Sequence, residues 1–305
     1  MLAIVTPCYN EEKSIITFLQ SLEKNLSPTG QSFSIIVVDD CSQDKTPSLL
    51  ASFSFSSGLL TLYVLRLKFN MGHQSAIHQG LLFAHEISAD KVIVMDSDGE
   101  DDPQAIASIL KHEDYDIVEV RRGKRSEGIL FRLLYKVYKL IFRFITGKNM
   151  NYGNYCMINR SILESITFTS FVHFPAYLLK QKASRTYFQF DRGKRIHGKS
   201  KMGLQGLLLH SFKSFVEFGE DLLMLFLKMF TVIVIVILIL LVDVLYQKFI
   251  AHTAILGWTS TLILGLLTIA IICFGFFVTG ILLLNLIHQQ NNKSQKNLYT
   301  VFKNK

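Results

Sequence analysis

Two regimes of hydrophobic patterning divide this chain near residue 220. Before that point, short apolar runs alternate with amphipathic stretches. Leu2–Val5, stopped by Thr6-Pro7, reads as a buried strand. Glu12–Leu26 places Ile15, Ile16, Leu19, Leu22 and Leu26 at helical spacing. Ser34–Val38 is a second strand, ending at Asp39-Asp40, and Leu62–Leu67 a third. Gln74–His85 reads as a helix and Lys91–Met95 as a fourth strand, ending at Asp96-Ser97-Asp98. Strands alternating with helices predict an α/β fold, a mainly parallel sheet covered by helices on both faces. Such sheets bind ligands beyond the carboxyl ends of their strands, where these polar clusters fall.

The pattern then changes. Residues 128–147 predict a helix with Arg132, Lys136, Lys139 and Arg143 on one face and Phe131, Leu134, Tyr138, Phe142 and Ile145 over much of the rest. That is the pattern of a helix lying in a membrane interface, or of one packed on the sheet with a solvated basic face. Leu204–Phe218 is expected to be a juxtamembrane helix. Met229–Val242 carries no charge, and the stretch Leu227–Tyr246 has 20 residues with Lys228 and Asp243 near its ends. At about 1.5 Å per residue it spans a hydrocarbon core of about 30 Å. Trp258–Leu284 is also uncharged. Apolar runs this long are rare in soluble cores, so a two-span hairpin is expected.

Lys and Arg orient it. Ten lie between Lys180 and Lys228, and Lys293, Lys296, Lys303 and Lys305 follow the second span, whereas the connection between the spans holds only Lys248. Both termini and the globular part are therefore expected in the cytosol, at the cytoplasmic membrane of a cell. The start shows no cleavable-signal pattern. The expected organisation is a catalytic domain over 1–205 (halves 1–110 and 111–205), a juxtamembrane helix over 206–221, a hairpin over 222–287 and a basic tail over 288–305.

Composition narrows the function. Of 305 residues, 50% are hydrophobic and 18% charged, which excludes a disordered chain. The net charge of +8 fits an anionic lipid surface; no nucleic-acid motif accompanies it. The four cysteines, Cys8, Cys41, Cys156 and Cys273, are too scattered for a zinc site or a disulfide framework and suggest a reducing compartment.

The chemistry concentrates at Asp96-Ser97-Asp98. Two carboxylates leaving a strand into a loop can reach one divalent cation, and Mg²⁺ and Mn²⁺ are often held by one or two carboxylates plus substrate phosphates. Glu100, Asp101 and Asp102 enlarge a cluster that repels itself without a cation. Around it the chain reads Pro7-Cys-Tyr-Asn-Glu-Glu12, Val38-Asp-Asp-Cys-Ser-Gln-Asp-Lys-Thr46 and Asn70-Met-Gly-His73.

In the order and spacing of these motifs the chain resembles the inverting glycosyltransferases of family two, and most closely their polyprenyl-phosphate branch. The resemblance implies a GT-A (Rossmann-like) catalytic domain followed by a transmembrane hairpin, a nucleotide-sugar donor, Mg²⁺ or Mn²⁺, and a polyprenyl (undecaprenyl) phosphate acceptor. It also implies a homo-oligomer, a tetramer by family analogy. Pro7, Tyr9, Glu11 and Asp40 would hold the nucleoside, with Asp40 near the base and Asp39 structural. Asp96, Ser97 and Asp98 would meet ribose, diphosphate and metal, with Glu100 joining the metal shell. Arg121 or Arg122 would face the diphosphate or the acceptor phosphate. Arg132 and Lys136 would serve the acceptor, and Arg195, Ser200 and Lys201 match a late motif that closes over phosphates. His73 and His197 read as structural.

One stretch departs from the family's pattern. Gly153-Asn-Tyr-Cys-Met157 stands where the family has G-D-F-R-L, so Asn154 replaces a candidate catalytic Asp and Cys156 an Arg. Asn cannot accept a proton at neutral pH. A hydroxyl acceptor must lose a proton as it attacks, whereas a phosphate monoester, with a second pKa of about 6, is already largely dianionic at pH 7. Hexose transfer to a lipid phosphate is the leading expectation. Transfer to a saccharide hydroxyl and a non-catalytic donor-binding membrane scaffold are the alternatives.

Overall fold

The computed structural model describes residues 1–122, 129–151, 153–191, 193, 195–197, 204–252, 257–291 and 298–304. They form two compact units: residues 1–139, 149–217 and 294–305 make the first, and residues 140–148 and 218–293 the second.

The first unit is built on one eight-stranded sheet. Its strands are β1 (Leu2–Cys8), β2 (Phe33–Asp39), β3 (Leu60–Leu67), β4 (Lys91–Val94), β5 (Ile117–Arg122), β6 (Cys156–Asn159), β7 (Arg185–Phe190) and β8 (Tyr299–Asn304). Their order in space is β7-β5-β6-β4-β1-β2-β3-β8. The pairs β4-β1, β1-β2 and β2-β3 are parallel, as expected. The antiparallel β6 lies between β4 and β5, so β5 again runs parallel to β4. The chain reverses direction across the sheet between β1 and β4, the switch point at which open α/β sheets form a crevice.

All seven residues of β2 are buried, which is why its sequence is an unbroken apolar run. Helix α1 (Ile15–Leu26) buries Ile15, Phe18, Leu19, Leu22 and Leu26 against one face of the sheet, together with α2 (Thr46–Ser52) and α4 (Ile106–Leu110). The other face is covered by α3 (His73–Glu86), α6 (Arg160–Phe168) and α7 (Phe174–Lys180). Gly80 lets α3 settle on the strands; a Cβ there would collide with Val5 and Val38.

Two features were not visible in the patterning. β5 and β7 interrupt their apolar positions with Glu119, Arg121 and Arg185 and do not read as strands, and β6 is only four residues long. The segment expected to be only a basic tail carries β8, which pairs antiparallel with β3. Tyr299 donates from its hydroxyl to Glu86 at 3.2 Å.

Helix α5 (Ile129–Thr146) begins in the first unit and ends in the second. It follows the expected amphipathic span, and Leu140 and Phe144 are 70% and 76% exposed. In the first unit its Tyr138 bonds Ser214 at 2.8 Å and meets Phe215 edge-on, joining it to α8 (Leu204–Glu217).

The second unit contains α9 (Gly219–Tyr246) and α10 (Trp258–Asn291). Two helical stretches are long and apolar enough to cross a membrane: Gly219–Ala251, which includes α9 and the turn after it, and Ser260–Leu283 within α10. They pack along each other through Phe226–Phe276 and Phe230–Phe274, with ring centroids 5.7 and 5.2 Å apart. A Cβ at Gly280 would collide with Leu223, so this glycine permits the contact. Many of the other apolar side chains of these helices are exposed, among them Leu238, Ile239, Leu264 and Ile271.

Candidate active site

The sheet brings most of the chemistry-bearing residues to one rim. β5, β4, β1, β2 and β3 end there and β6 begins there. Across the rim lie Arg121 at the end of β5, Asn154 before β6, Asp96–Asp98 after β4, Tyr9–Glu12 after β1 and Asp40 after β2. Charge runs from cationic at β5 to anionic at β4.

The acidic turn is internally braced. Asp101 is buried and accepts the Asp96 N–H at 3.0 Å, and Asp98 accepts the Glu100 N–H at 2.9 Å. Ser97, expected to meet the donor, is instead buried and donates to the Pro7 carbonyl at 2.8 Å, tying the turn to β1. Arg195 lies against the same turn, 2.6 Å from Asp98 Oδ2 and 3.4 Å from Glu100 Oε1. His73 Nε2 is 3.1 Å from Asp96 Oδ1.

The neighbouring loops are cross-linked. Asn10, with φ 54°, donates its N–H to Ser42 and accepts the Gln43 N–H, and the Glu11 N–H donates to Thr46. Glu11 also accepts from the Ser14 hydroxyl. Asp40, expected near the base, accepts the Met71 and Gly72 N–H groups at 2.7 and 2.9 Å. Burial raises its pKa while these two amides lower it, with a net upward shift. Asp39 accepts the Ser42 N–H at 3.0 Å. The Tyr9 ring is exposed at the rim.

Asn154 has a fixed orientation. The Phe174 N–H donates to Gln74 Oε1 at 2.6 Å, so the Gln74 amide nitrogen faces Asn154 Oδ1 at 3.3 Å. The Asn154 nitrogen is thereby turned toward His73, 3.4 Å from its Nε2. Cys156 is fully buried in β6, and burial, followed by the nearby Glu119 and Asp101 charges, pushes its thiol pKa well up. It pairs in register with Glu119. The buried Glu119 carboxylate meets Arg121 at 3.4 Å and Arg185 at 3.6 Å. Arg121 also stacks on Tyr187, 3.4 Å from the ring centroid. Lys139 has its pKa lowered by burial and then by the nearby Arg121 charge, and it donates to Asn151 at 2.6 Å.

Residues 3–167 match the profile of glycosyl transferase family 2 over more than half of the chain. The chain belongs to that family. It is 31% identical to an undecaprenyl-phosphate 4-deoxy-4-formamido-L-arabinose transferase of Serratia proteamaculans, over 54% of this chain and 50% of that protein. It is 30% identical to the protein of the same description from Edwardsiella ictaluri, over 68% of this chain and 64% of that one. The chain thus spans about half to two thirds of these relatives. Among solved structures, glucosyl-3-phosphoglycerate synthase from Mycobacterium tuberculosis, in complex with Mn²⁺, UDP and phosphoglyceric acid, superposes with a TM-score of 0.52. It has 15% identity, with 72% of this chain and 78% of that one covered. That likeness fixes the GT-A type of fold.

Of the residues expected at the site, the rim unites Pro7, Tyr9, Glu11, Asp40, Asp96, Ser97, Asp98, Glu100, Arg121, Asn154 and Arg195. Lys136 is exposed on α5. The side chains of Arg122 and Arg132, and the whole of Ser200 and Lys201, lie outside the described residues. Sequence reasoning missed Glu119, Arg185 and Gln74. Only Glu119 carried a signal, a carboxylate inside an otherwise apolar run, Ile117–Val120.

Proposed function

We propose that this chain is a membrane-bound inverting glycosyltransferase that moves a hexose from a nucleotide-sugar to polyprenyl phosphate, with undecaprenyl phosphate as the acceptor its relatives' descriptions favour. The observation that carries the reading is the rim itself: a carboxylate turn for the donor, a cationic group at Arg121 for an anionic acceptor, and an amide, not a carboxylate, between them.

In this reading Tyr9 and Glu11 line the nucleoside, and Asp40 shapes its seat by holding the Met71-Gly72 backbone. Asp96 and Asp98, with Glu100, would hold Mg²⁺ or Mn²⁺. Among the described residues no group of three or more His, Cys, Asp and Glu side chains is arranged to hold an ion alone. The donor chemistry nevertheless fits. Asp96 and Asp98 offer hard oxygen ligands, a guanidinium already stands against Asp98 and Glu100, and diphosphate oxygens are the usual completion of such a shell. A bound divalent ion supplies charge neutralisation to a leaving diphosphate.

The acceptor phosphate is ionised before it arrives, so Asn154 has no proton to remove. Arg121, held by Glu119 and Tyr187, faces that phosphate, and Lys139 and Lys136 extend the positive surface. A phosphate oxygen forms the new bond to the anomeric carbon as the bond to the diphosphate breaks, and the electron pair leaves with the nucleoside diphosphate. One such displacement inverts the configuration, with an oxocarbenium-like transition state expected as in glycosidic cleavage. The two apolar helices span the cytoplasmic membrane as a hairpin with both termini in the cytosol, and the enzyme assembles as a homo-oligomer.

The test is release of nucleoside diphosphate by the purified full chain, with UDP- and GDP-sugars screened first by thermal shift. Release should require both a divalent ion and a polyprenyl phosphate. Release that follows a saccharide acceptor, with lipid phosphate inert, would replace this reading by the hydroxyl-acceptor one.

A further inference from the structure

Arg195 does more than lie near the acidic turn; the backbone on both sides of it is seated there. Gly193 donates its N–H to the Glu100 carbonyl at 3.0 Å, and Ile196 donates its N–H to the Asp98 carbonyl at 3.0 Å. Glycines make this close approach possible. A Cβ at Gly193 would collide with the Gly99 carbonyl, and one at Gly99, which has φ 87°, with the Ile196 side chain. Ile196 packs against the core cluster beneath. The guanidinium is thus delivered to Asp98 and Glu100 by anchored neighbours, and its own side chain is only 20% exposed.

A guanidinium and a divalent ion compete for the same carboxylate oxygens. From this we infer that Arg195 is the built-in counter-ion of the donor seat, which a divalent ion enters efficiently only together with a diphosphate that takes the guanidinium over. This inference rests on reading the Asp96–Glu100 turn as the seat of donor and cation. It adds a positioning residue that couples the two: by linkage, whatever displaces Arg195 from the carboxylates raises metal affinity, and the metal in turn raises affinity for the group that receives Arg195.

The experiment titrates the full chain in detergent with Mn²⁺ alone, following the free-ion signal by electron paramagnetic resonance, and repeats the titration with UDP and with GDP. Arg195→Met should bind Mn²⁺ alone about tenfold more tightly than the unmodified chain, the size of one lost charge-assisted hydrogen bond. The extra affinity contributed by nucleotide should shrink by a similar factor, and Arg195→Lys should stay close to the unmodified chain. Gly193→Val, which lifts the segment from the turn without altering charge, should shift Mn²⁺ affinity in the same direction, and it decides the matter if Arg195→Met does not fold. Unchanged or weaker affinity for Mn²⁺ alone in the folded variants overturns the inference while leaving the donor seat in place. Failure of every protein to take up Mn²⁺, even with UDP or GDP, overturns the donor-seat reading and the inference with it.

Discussion

Strand β2 and helix α9 are both rich in Ile, Val and Leu, yet all seven residues of β2 are buried and none of α9 is. In β2 the apolar run is short, ends in Asp39 and is covered on both faces by helices. The helix α9 is 28 residues long, and most of its side chains have only solvent or the single neighbour α10 around them. Similar side chains thus answer to two different solvents. Burial within the domain excludes water from the sheet, whereas the hairpin needs lipid to do so. The comparison separates what holds the rim in shape from what holds the protein at a membrane.

The largest effect should come from the rim. Asp98→Asn is expected to lower nucleoside diphosphate release by at least about 100- to 1000-fold, with resistance to carbonate extraction from membranes unchanged. Loss of extraction resistance would mean that the two regions are not separable.

A charge placed in each region sharpens the contrast. Ile36, fully buried in β2, changed to Asp should cost several kcal/mol, of the order of about 3–5 for an uncompensated buried charge, and unfold the domain. Leu238, 56% exposed on α9, changed to Asp should cost about 2.5–3.5 kcal/mol of membrane insertion while leaving nucleotide-induced thermal shifts in detergent intact. A domain destabilised by Leu238→Asp would break the comparison.

Arg132 and Lys136 changed together to Glu should weaken the dependence of turnover on anionic lipid, since each basic group near such a surface contributes about 1 kcal/mol. Unaltered lipid dependence would make this basic face of α5 a solvated one. The smallest effect belongs to β8. Removing residues 298–305 takes the antiparallel partner from β3, and a loss of about 1 kcal/mol would lower the melting temperature by roughly 2–4 °C. It should also increase aggregation through the uncovered edge. No change in melting would show that β8 contributes nothing to the sheet.

The same contrast explains what was legible in the sequence. β1–β4 are short apolar runs, each closed by a polar cluster, so strands, direction and rim could all be read from residue order. The membrane helices announced themselves by length and lack of charge. β5 and β7 were hidden because Glu119, Arg121 and Arg185 interrupt their apolar positions, and they make sense only once the one Glu119 carboxylate is seen to meet both guanidiniums. β8 lies more than 230 residues after its partner in the chain, beyond both apolar helices, and no local pattern encodes such a pairing. Asp40 and Ser97 lie at the rim, where their hydrogen bonds brace the backbone, a distinction that residue type alone does not carry. The amide orientation at Asn154 depends on Gln74, 80 residues away.

The central claim, that the rim passes sugar to a lipid phosphate, is tested most directly by incubating membranes containing this chain with a radiolabelled nucleotide-sugar and a divalent ion. The account predicts label that partitions into the organic phase and is released as free sugar by mild acid. Label that stays in the aqueous phase on a saccharide, with none extractable as lipid, would contradict it.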